Sequence, residues 1–268
     1  MRNSPTLAAL GAIVLCLALC PKSAFAASIR FNGGVGWTAN TNTAGIPTFS
    51  SNSVVMTNAF QQDTSVWFDT TQSLGSFTIS FVYTATFTPG GLNPADGITL
   101  AFQDLGTSYL GIGGGGLGYA MSGNSAAIAL NIYSGSPGGA PGTQFYTDGQ
   151  TALSGAPYLS TLPVALASGD PISVNLAYDS TAGTLNETLV DSVADTTFSH
   201  TYSGVNLSST IDSSTAFVGF TGGTGAGSST QTISDFQFTT TPEPSSLLLL
   251  GTGLLGLMAM VRRRKRLA

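Results

Sequence analysis

Side chains able to bind a ligand are few and concentrate in one stretch of the sequence. Asp96-Gly97 enters an apolar strand, a glycine cluster follows at 113–118, and Asn131 and Tyr133 end a second apolar strand. A carboxylate, bare backbone amides, a side-chain amide and an aromatic ring can together bind a hydroxyl-rich ligand. No Lys-Ser/Thr follows the glycines, which argues against a phosphate loop. Taken singly, Asp-Gly is also a common turn dipeptide, and the glycines could form a plain loop.

Groups for covalent or acid–base catalysis are scarce. Cys16 and Cys20 lie in an apolar leader, and the single histidine, His200, alternates within a strand pattern and is expected at the surface or rim. Residues 27–240 contain one glutamate, Glu187, without the paired-carboxylate strand that glycosidases need. These residues argue against an enzyme and against a Cys/His zinc site.

Charge is sparse and segregated along the 268 residues, of which 8% are charged. Residues 27–240 carry one base, Arg30, and twelve acids, for a formal charge of -11. Such a surface repels phosphate backbones, so no nucleic-acid partner is expected. Polarity comes instead from Gly, Ser, Thr and Asn, which is typical of secreted β proteins with many turns.

The N-terminus predicts a secretory signal. Arg2 precedes an apolar run from Leu7 to Leu19, and Ala24-Phe25-Ala26 places small residues where signal peptidase requires them. The apolar run is short for a membrane anchor. We expect residues 1–26 to be a signal peptide that is cleaved after Ala26.

Alternating patterns predict an all-β domain of about 214 residues, long enough for a full core. The clearest period of two runs over 77–87, and it suits a long strand in a curved sheet. Three further strands at 172–178, 184–191 and 196–202 form a meander with short turns. The Asn-, Thr- and Gly-rich segment 33–47 is predicted to be a loop.

The succession of Ala95-Asp96-Gly97, the glycine cluster and the strand ending at Asn131–Tyr133 resembles the core of legume-type (L-type) lectins and their bacterial relatives. A second resemblance is the strand at 216–221 that runs into a Gly/Thr loop, 224–229, which in legume lectins shapes sugar specificity. The resemblance covers nearly all of residues 27–240. It implies a concanavalin-A-like jelly-roll sandwich with a cis Ala95–Asp96 peptide bond.

The resemblance also implies a sugar pocket built from loops. The Asp96 carboxylate would accept hydrogen bonds from sugar hydroxyls, glycine amides would approach the ligand, and an aromatic ring, Tyr133 or Tyr119, would stack on it. The implied carbohydrate-binding residues are Asp96, Gly115, Gly116, Asn131 and Tyr133.

Metal ligands of this family are largely missing from the matching strand. Metal-binding L-type lectins carry Glu and Asp two residues apart, then an aromatic residue, then Asn; the matching positions here are Ala129, Asn131, Tyr133 and Gly135. Calcium takes six to eight oxygen ligands, usually with carboxylates among them. We therefore expect no cofactor and no tight calcium site. Oxygens from the loop residues Asp104 or Asp148 leave weak calcium binding open.

The C-terminus resembles the PEP-CTERM sorting signal of Gram-negative bacteria. Pro242-Glu243-Pro244 precedes an apolar stretch from Leu247 to Val261 and a basic end, Arg262–Arg266. The resemblance implies a sorting signal over 241–268 that includes a transmembrane helix, processing by an exosortase, and a setting of exopolysaccharide and biofilm production. A plain C-terminal membrane anchor is the alternative.

Together these features predict a secreted, sorted, non-catalytic carbohydrate-binding protein of the cell envelope or extracellular matrix. Its expected partners are signal peptidase, an exosortase and a glycan such as exopolysaccharide, with transient anchoring in the inner membrane. The alternative is a structural or adhesive matrix protein that has the lectin fold without sugar binding.

Overall fold

The computed structural model describes residues 28–87, 93–120, 122–135 and 140–241, together with Gly253. The predicted cleavage site at Ala26 and the sorting motif at Pro242–Pro244 lie outside the described residues. Residues 28–241 belong to one compact unit. No helix among the described residues is long and apolar enough to cross a membrane.

The described residues fold into two antiparallel sheets of eight strands each. In chain order the strands are β1 (Ser28–Ile29), β2 (Trp37–Thr41), β3 (Thr48–Phe49), β4 (Ser53–Thr57), β5 (Asp63–Phe68), β6 (Gln72–Ser73), β7 (Phe77–Phe87), β8 (Gly97–Gln103), β9 (Ser125–Asn131), β10 (Gly142–Thr147), β11 (Leu159–Ser160), β12 (Ile172–Asp179), β13 (Thr184–Asp191), β14 (Thr196–Ser203), β15 (Thr215–Gly223) and β16 (Ser229–Thr240). The back sheet has the order β14-β13-β12-β7-β16-β4-β3, with β1 on β16. The front sheet has the order β11-β10-β9-β8-β15-β5-β2, with β6 on β15.

The main core lies between the two sheets, and β7 confirms the alternation predicted for 77–87. Phe77, Ile79, Phe81 and Tyr83 are buried, while the residues between them, Thr78, Ser80 and Val82, are more exposed and face outward. Ring centroids of Phe81 and Phe220 from the front sheet lie 5.1 Å apart, edge to face. Such aromatic contacts between sheets bury large apolar surfaces and fix the spacing of the sandwich.

The central strands of the front sheet are buried on both faces, because loops cover the outer side of this sheet. Every residue of β8 and β9 is buried, which explains their continuous apolar character. A second, smaller apolar cluster lies under the loops. Its members are Trp67, Ala101, Leu117, Tyr119, Ala127, Ala129 and Tyr146. The alanines leave room for loop side chains to lie close to the sheet.

The segment 33–47 corrects the loop prediction. Trp37–Thr41 forms β2, an edge strand paired with β5, with Trp37 opposite Phe68. Trp37 is buried and its indole N–H donates to the Arg30 carbonyl at 3.0 Å. Asn40 adds a second anchor, since its side-chain amide donates to the Ser65 hydroxyl at 3.0 Å and to the Thr107 carbonyl at 2.8 Å. The other Asn and Thr residues are tolerated because this edge strand is partly in solvent.

A carboxyl group is buried between the sheets at their β13–β10 edge. Glu187 is 1% exposed and accepts hydrogen bonds from the hydroxyls of Thr143 (2.9 Å) and Tyr202 (3.2 Å). His200 lies directly across from Glu187 on β14, half-buried against the ring of Tyr202, in agreement with a rim position. Burial raises the pKa of Glu187 to about 7, and the two hydroxyl donors lower it by less.

Glu187 predicts a pH-dependent term in stability. Its pKa is higher in the folded protein than the ordinary value of 4.5, so folding favours the protonated acid and stability falls as pH rises from about 4.5 to 7. Glu187→Gln should remove this fall. Across that range the variant should gain about 3 kcal/mol in free energy of unfolding relative to wild type, measured by urea denaturation. Asp104→Asn, at an exposed turn, is the charge control; parallel curves for wild type and Glu187→Gln would contradict the prediction.

Candidate functional site

The turn before β8 brings Asp96 to the end of the front sheet. The Ala95–Asp96 peptide bond is cis, as the resemblance implied. The Asp96 N–H donates to the Gly223 carbonyl at 3.1 Å, and the Asp96 carbonyl accepts from the Ile132 N–H at 2.9 Å. Asp96 is thereby bonded on one side to the end of β15 and on the other to the residue after β9, between Asn131 and Tyr133.

The glycine cluster lies directly on the backbone of β15. A Cβ atom on Gly223 would lie 2.8 Å from the Gly114 carbonyl oxygen, so no larger residue fits without displacing the loop. Gly118 has a φ of 68° and packs its Cα against the carbonyls of Thr64 and Gly222. The Thr221 hydroxyl donates to the Leu117 carbonyl at 2.7 Å and holds the end of the loop on the sheet.

The Asp96 side chain is the most unusual polar group of this site. The residue is 7% exposed, and its Oδ2 atom has no hydrogen-bond partner among the described residues. Oδ2 lies 3.3 Å from where a Cβ on Gly225 would be, next to the glycine cluster at Gly114. Burial raises the pKa of Asp96 to about 6, and the Gly225 amide lowers it by less. A buried acceptor without a partner is costly, and it points to a group that comes from outside the chain.

A second carboxylate lies on the other side of the glycine cluster. Asp63, at the start of β5, packs against Gly113 so closely that a Cβ there would overlap its carboxylate. Burial raises the pKa of Asp63, while a hydrogen bond from the Gly113 amide lowers it by less. With carboxylates on both sides, the site disfavours phosphate and carboxylate ligands and suits neutral donors.

The two glycines implied as ligand contacts differ in whether the backbone amide is already used within the loop. The Gly116 N–H donates to the Gly113 carbonyl at 2.9 Å and Gly116 is buried, so its amide is already used within the loop. This corrects the expectation of a free amide at Gly116. The Gly115 N–H has no partner within the described residues, and Leu153 lies 3.3 Å from the position of a Cβ on Gly115.

Asn131 and Tyr133 lie beside Asp96, but Asn131 has a structural task. Its side-chain amide donates to the Tyr133 carbonyl at 2.8 Å, so Asn131 holds the backbone that follows β9. The half-buried Tyr133 ring lies against Gly135, where a Cβ would come within 2.3 Å of the ring. The alternative aromatic platform, Tyr119, is wrong, because Tyr119 is fully buried in the cluster under the loops.

The residues at the family's metal position do not fit a metal. Ala129 supplies no ligand, Asn131 is committed to the backbone, and no cluster of three His, Cys, Asp or Glu exists in the described part of the chain. Asp104 and Asp148 cannot supply the missing oxygens, since both lie near Ser125, at the far end of β9 from Asn131. Seven residues of strand separate the two ends by about 20 Å.

Comparisons with known proteins bear on the fold and on the C-terminal motif, and the matched segments follow residues 96–133 of the candidate site. The family model of the legume lectin domain matches residues 150–248, and that of the PEP-CTERM protein-sorting motif matches residues 240–265. The chain thus combines a similarity to the legume lectin domain with a similarity to the PEP-CTERM sorting motif. No curated protein sequence matches the chain significantly.

Solved legume lectins share the fold of the lectin-like domain. A basic winged bean lectin solved with the Tn antigen is 16% identical, with a TM-score of 0.66 over 80% of this chain and 98% of the lectin. Peanut lectin in complex with a nine-residue peptide is 20% identical, with a TM-score of 0.65 over 81% and 98% of the two chains. Arcelin-5, a lectin-like defence protein from Phaseolus vulgaris, is 15% identical, with a TM-score of 0.63 over 81% and 98%. At these identities the likeness shows a common fold, the concanavalin-A-like jelly roll.

Two residues of the site carry no signal in the sequence. Asp63 opens an ordinary strand, and Leu153 lies in the connection between β10 and β11. Leu153 is about half exposed and covers Gly115, which gives the site an apolar edge. Their positions depend on how the loops fold over the front sheet, and residue types alone do not reveal that.

The close contact between Gly223 and the glycine cluster predicts that a methyl group added at Gly223 will destabilise the protein. Gly223→Ala should lower the free energy of unfolding by about 1–3 kcal/mol, because the new methyl group meets the backbone of Gly114. Gly75→Ala is the matched control, since a Cβ there makes an ordinary contact of 3.5 Å, and it should change stability by less than about 0.5 kcal/mol. Urea denaturation of the full-length chain in detergent measures both; equal effects would contradict the close contact.

The residues at the metal position predict that neither calcium nor a chelator changes the thermal stability of the protein. A bound ion at a hundredfold its Kd would stabilise the protein by about 2.7 kcal/mol. We expect the Tm of the full-length chain to be the same in millimolar calcium as in chelator. Magnesium at the same concentration controls for screening of the acidic surface. A rise in Tm with calcium but not with magnesium would contradict the assignment.

Proposed function

We propose that this protein is a secreted, non-catalytic carbohydrate-binding protein whose ligand binds at Asp96. The observation that carries this proposal is the buried Oδ2 atom without a partner, at the junction of the glycine cluster and the 224–229 loop. Hydroxyl groups of a ligand would donate hydrogen bonds to this carboxylate and so supply the missing partner. The legume-lectin fold supports the same location.

The character of the pocket favours a neutral sugar. Asp63 and Asp96 would repel an anionic ligand, while hydroxyl donors would be attracted. Tyr133 and Leu153 offer apolar surface on which the CH groups of a sugar ring can pack. A pocket with few polar contacts gives weak monovalent binding, so many copies on one surface would act through avidity.

The sorting motif supports a place outside the cytoplasm. We propose cleavage by signal peptidase after Ala26, transient anchoring in the inner membrane through the C-terminal segment, and processing by an exosortase at Pro242–Pro244. The released domain, residues 27–240, would then join the cell envelope or an exopolysaccharide matrix of a Gram-negative bacterium. Exopolysaccharide is the natural candidate for the bound glycan.

Catalysis finds little support in the described residues. Two other acids are buried in the described residues: Glu187 is bonded to Thr143 and Tyr202 between the sheets, and Asp191 accepts the amides of Val193 and Ala194 at its own turn. Glycoside hydrolysis would need two carboxyls facing one glycosidic bond. The second candidate function is therefore a structural or adhesive matrix role without sugar binding, which the absent metal ligands at Ala129 and Gly135 favour.

Glycan binding by Asp96 should depend on pH in one direction. The pKa of about 6 means that the carboxylate is charged above pH 6 and becomes protonated below it. Because the charged form is the stronger acceptor, affinity for a neutral glycan should be about tenfold lower at pH 5 than at pH 7.5. Asp96→Asn should bind weakly at both values and show a flat profile.

The measurement is binding of the full-length chain to a glycan array and to host exopolysaccharide, in a detergent without a sugar head group. Asp104→Asn, an exposed acid far from the pocket, should bind as wild type does. Failure of the folded wild-type protein to bind any glycan would overturn the carbohydrate-binding proposal and leave the matrix role.

A further inference from the structure

The second carboxylate of the site, Asp63, lies in one row with the backbone at Asp96. Asp63 on β5 pairs with Gly223 on β15, which in turn pairs with Gly97 on β8. Neighbouring strands lie about 4.8 Å apart, so the backbones of Asp63 and Gly97 are separated by about 10 Å. Asp96 directly precedes Gly97. The two acids therefore lie at the two ends of a row that is longer than one sugar ring.

Both carboxylates face the same glycine backbone. Asp63 Oδ1 occupies the space that a side chain on Gly113 would need. Asp96 Oδ2 lies 3.9 Å from the position of a Cβ on Gly114, the next residue, and has no hydrogen-bond partner among the described residues. A carboxylate thus borders the backbone of Gly113 and Gly114 on each side, and a ligand that lies over this backbone meets both acids.

The Asp63 side chain is more accessible than that of Asp96. Asp63 is half-buried, whereas Asp96 is 7% exposed. The Asp63 N–H donates to the side-chain oxygen of Asn42 at 2.9 Å, and the Asp63 carbonyl accepts the Asn42 N–H at 3.2 Å. These bonds hold the backbone of Asp63 and do not involve its carboxylate. One bond from the Gly113 amide leaves most acceptor sites of that carboxylate open to a ligand.

An exposed aromatic side chain lies in the turn that leads to Asp63. Phe60 is 43% exposed and belongs to neither apolar cluster of the described residues. The next residue, Gln61, donates its N–H to the carbonyl of Gly225 at 3.2 Å, and Gly225 borders Asp96 Oδ2. The turn is thereby fixed beside the pocket. A carboxylate near an exposed aromatic ring can bind both the hydroxyls and the CH groups of a sugar.

We infer that Asp63 and Phe60 form a second subsite, which binds the sugar unit next to the unit at Asp96. The ligand is then a neutral glycan of at least two units that crosses the backbone of Gly113 and Gly114. Hydroxyls of the second unit donate to Asp63, and its apolar face packs on Phe60. An anionic polymer is disfavoured, because it would meet a carboxylate at each unit. The inference rests on the carbohydrate-binding role proposed for Asp96 and adds the length of the glycan.

Paired titrations with monosaccharides and disaccharides test this inference. The full-length chain, in a detergent without a sugar head group, is titrated with lactose, cellobiose, maltose and laminaribiose, and with the methyl glycosides of galactose and glucose. Wild type should bind its best disaccharide about tenfold more tightly than the better of the methyl glycosides of its component sugars. Asp63→Asn should reduce this preference to about twofold, since a neutral amide is a weaker acceptor than a carboxylate.

Phe60→Ala should reduce the same preference, and two matched controls should leave it unchanged. Asp104→Asn removes an exposed acid far from the pocket, and Val193→Ala trims an exposed apolar side chain at the turn before β14. The asparagine side chain retains an oxygen that can accept the Gly113 amide, so the Tm of Asp63→Asn should equal that of wild type.

The outcomes separate this inference from the carbohydrate-binding proposal. If wild type shows no preference for a disaccharide, or if Asp63→Asn or Phe60→Ala keeps the full preference, the second subsite is overturned. The role of Asp96 then still stands where Asp96→Asn loses binding of both kinds of ligand. An equal loss of affinity for both ligands in Asp63→Asn, with a lower Tm, would assign Asp63 a structural role and also overturn the second subsite. If the folded wild-type chain binds no glycoside, disaccharide or polysaccharide, both claims fall.

Discussion

The site depends on one steric constraint, the direct contact of backbone with backbone at Gly223. The glycine cluster rests on this residue, and the carbonyl of Gly223 accepts the amide of Asp96. A side chain at that point would separate the loop from the sheet. The absence of side chains at the junction therefore lets three segments distant in sequence meet, and it places a carboxylate in a closed space where burial shifts its pKa upward.

Small side chains on β9 also let the loops that cover the front sheet approach it closely. In metal-binding relatives this strand would direct acids outward; here Ala127 and Ala129 let Tyr158 and its loop pack onto the sheet. The hydrogen bond from Asn131 to the Tyr133 carbonyl fixes the chain that follows the strand. Order around the pocket thus arises from packing and hydrogen bonds within the chain.

Regular elements could be predicted from the sequence because their signals are local. The alternation in β7 and the three-strand meander of β12 to β14 appear within a residue or two of their predicted bounds. The family resemblance of the Asp96 motif also implied the cis Ala95–Asp96 peptide bond that the structure contains. The short strand β2 was missed, since its burial depends on one tryptophan meeting a partner strand far along the chain.

The place of β16 in the back sheet sets the order in which the domain can mature. This last strand lies between β7 and β4 and also pairs with β1, the first strand. A chain that emerges N-terminus first cannot complete this sheet until its final strand is available. The back sheet must therefore await residues that immediately precede the sorting motif. A chain cut before β16 would expose the unpaired edges of β7 and β4.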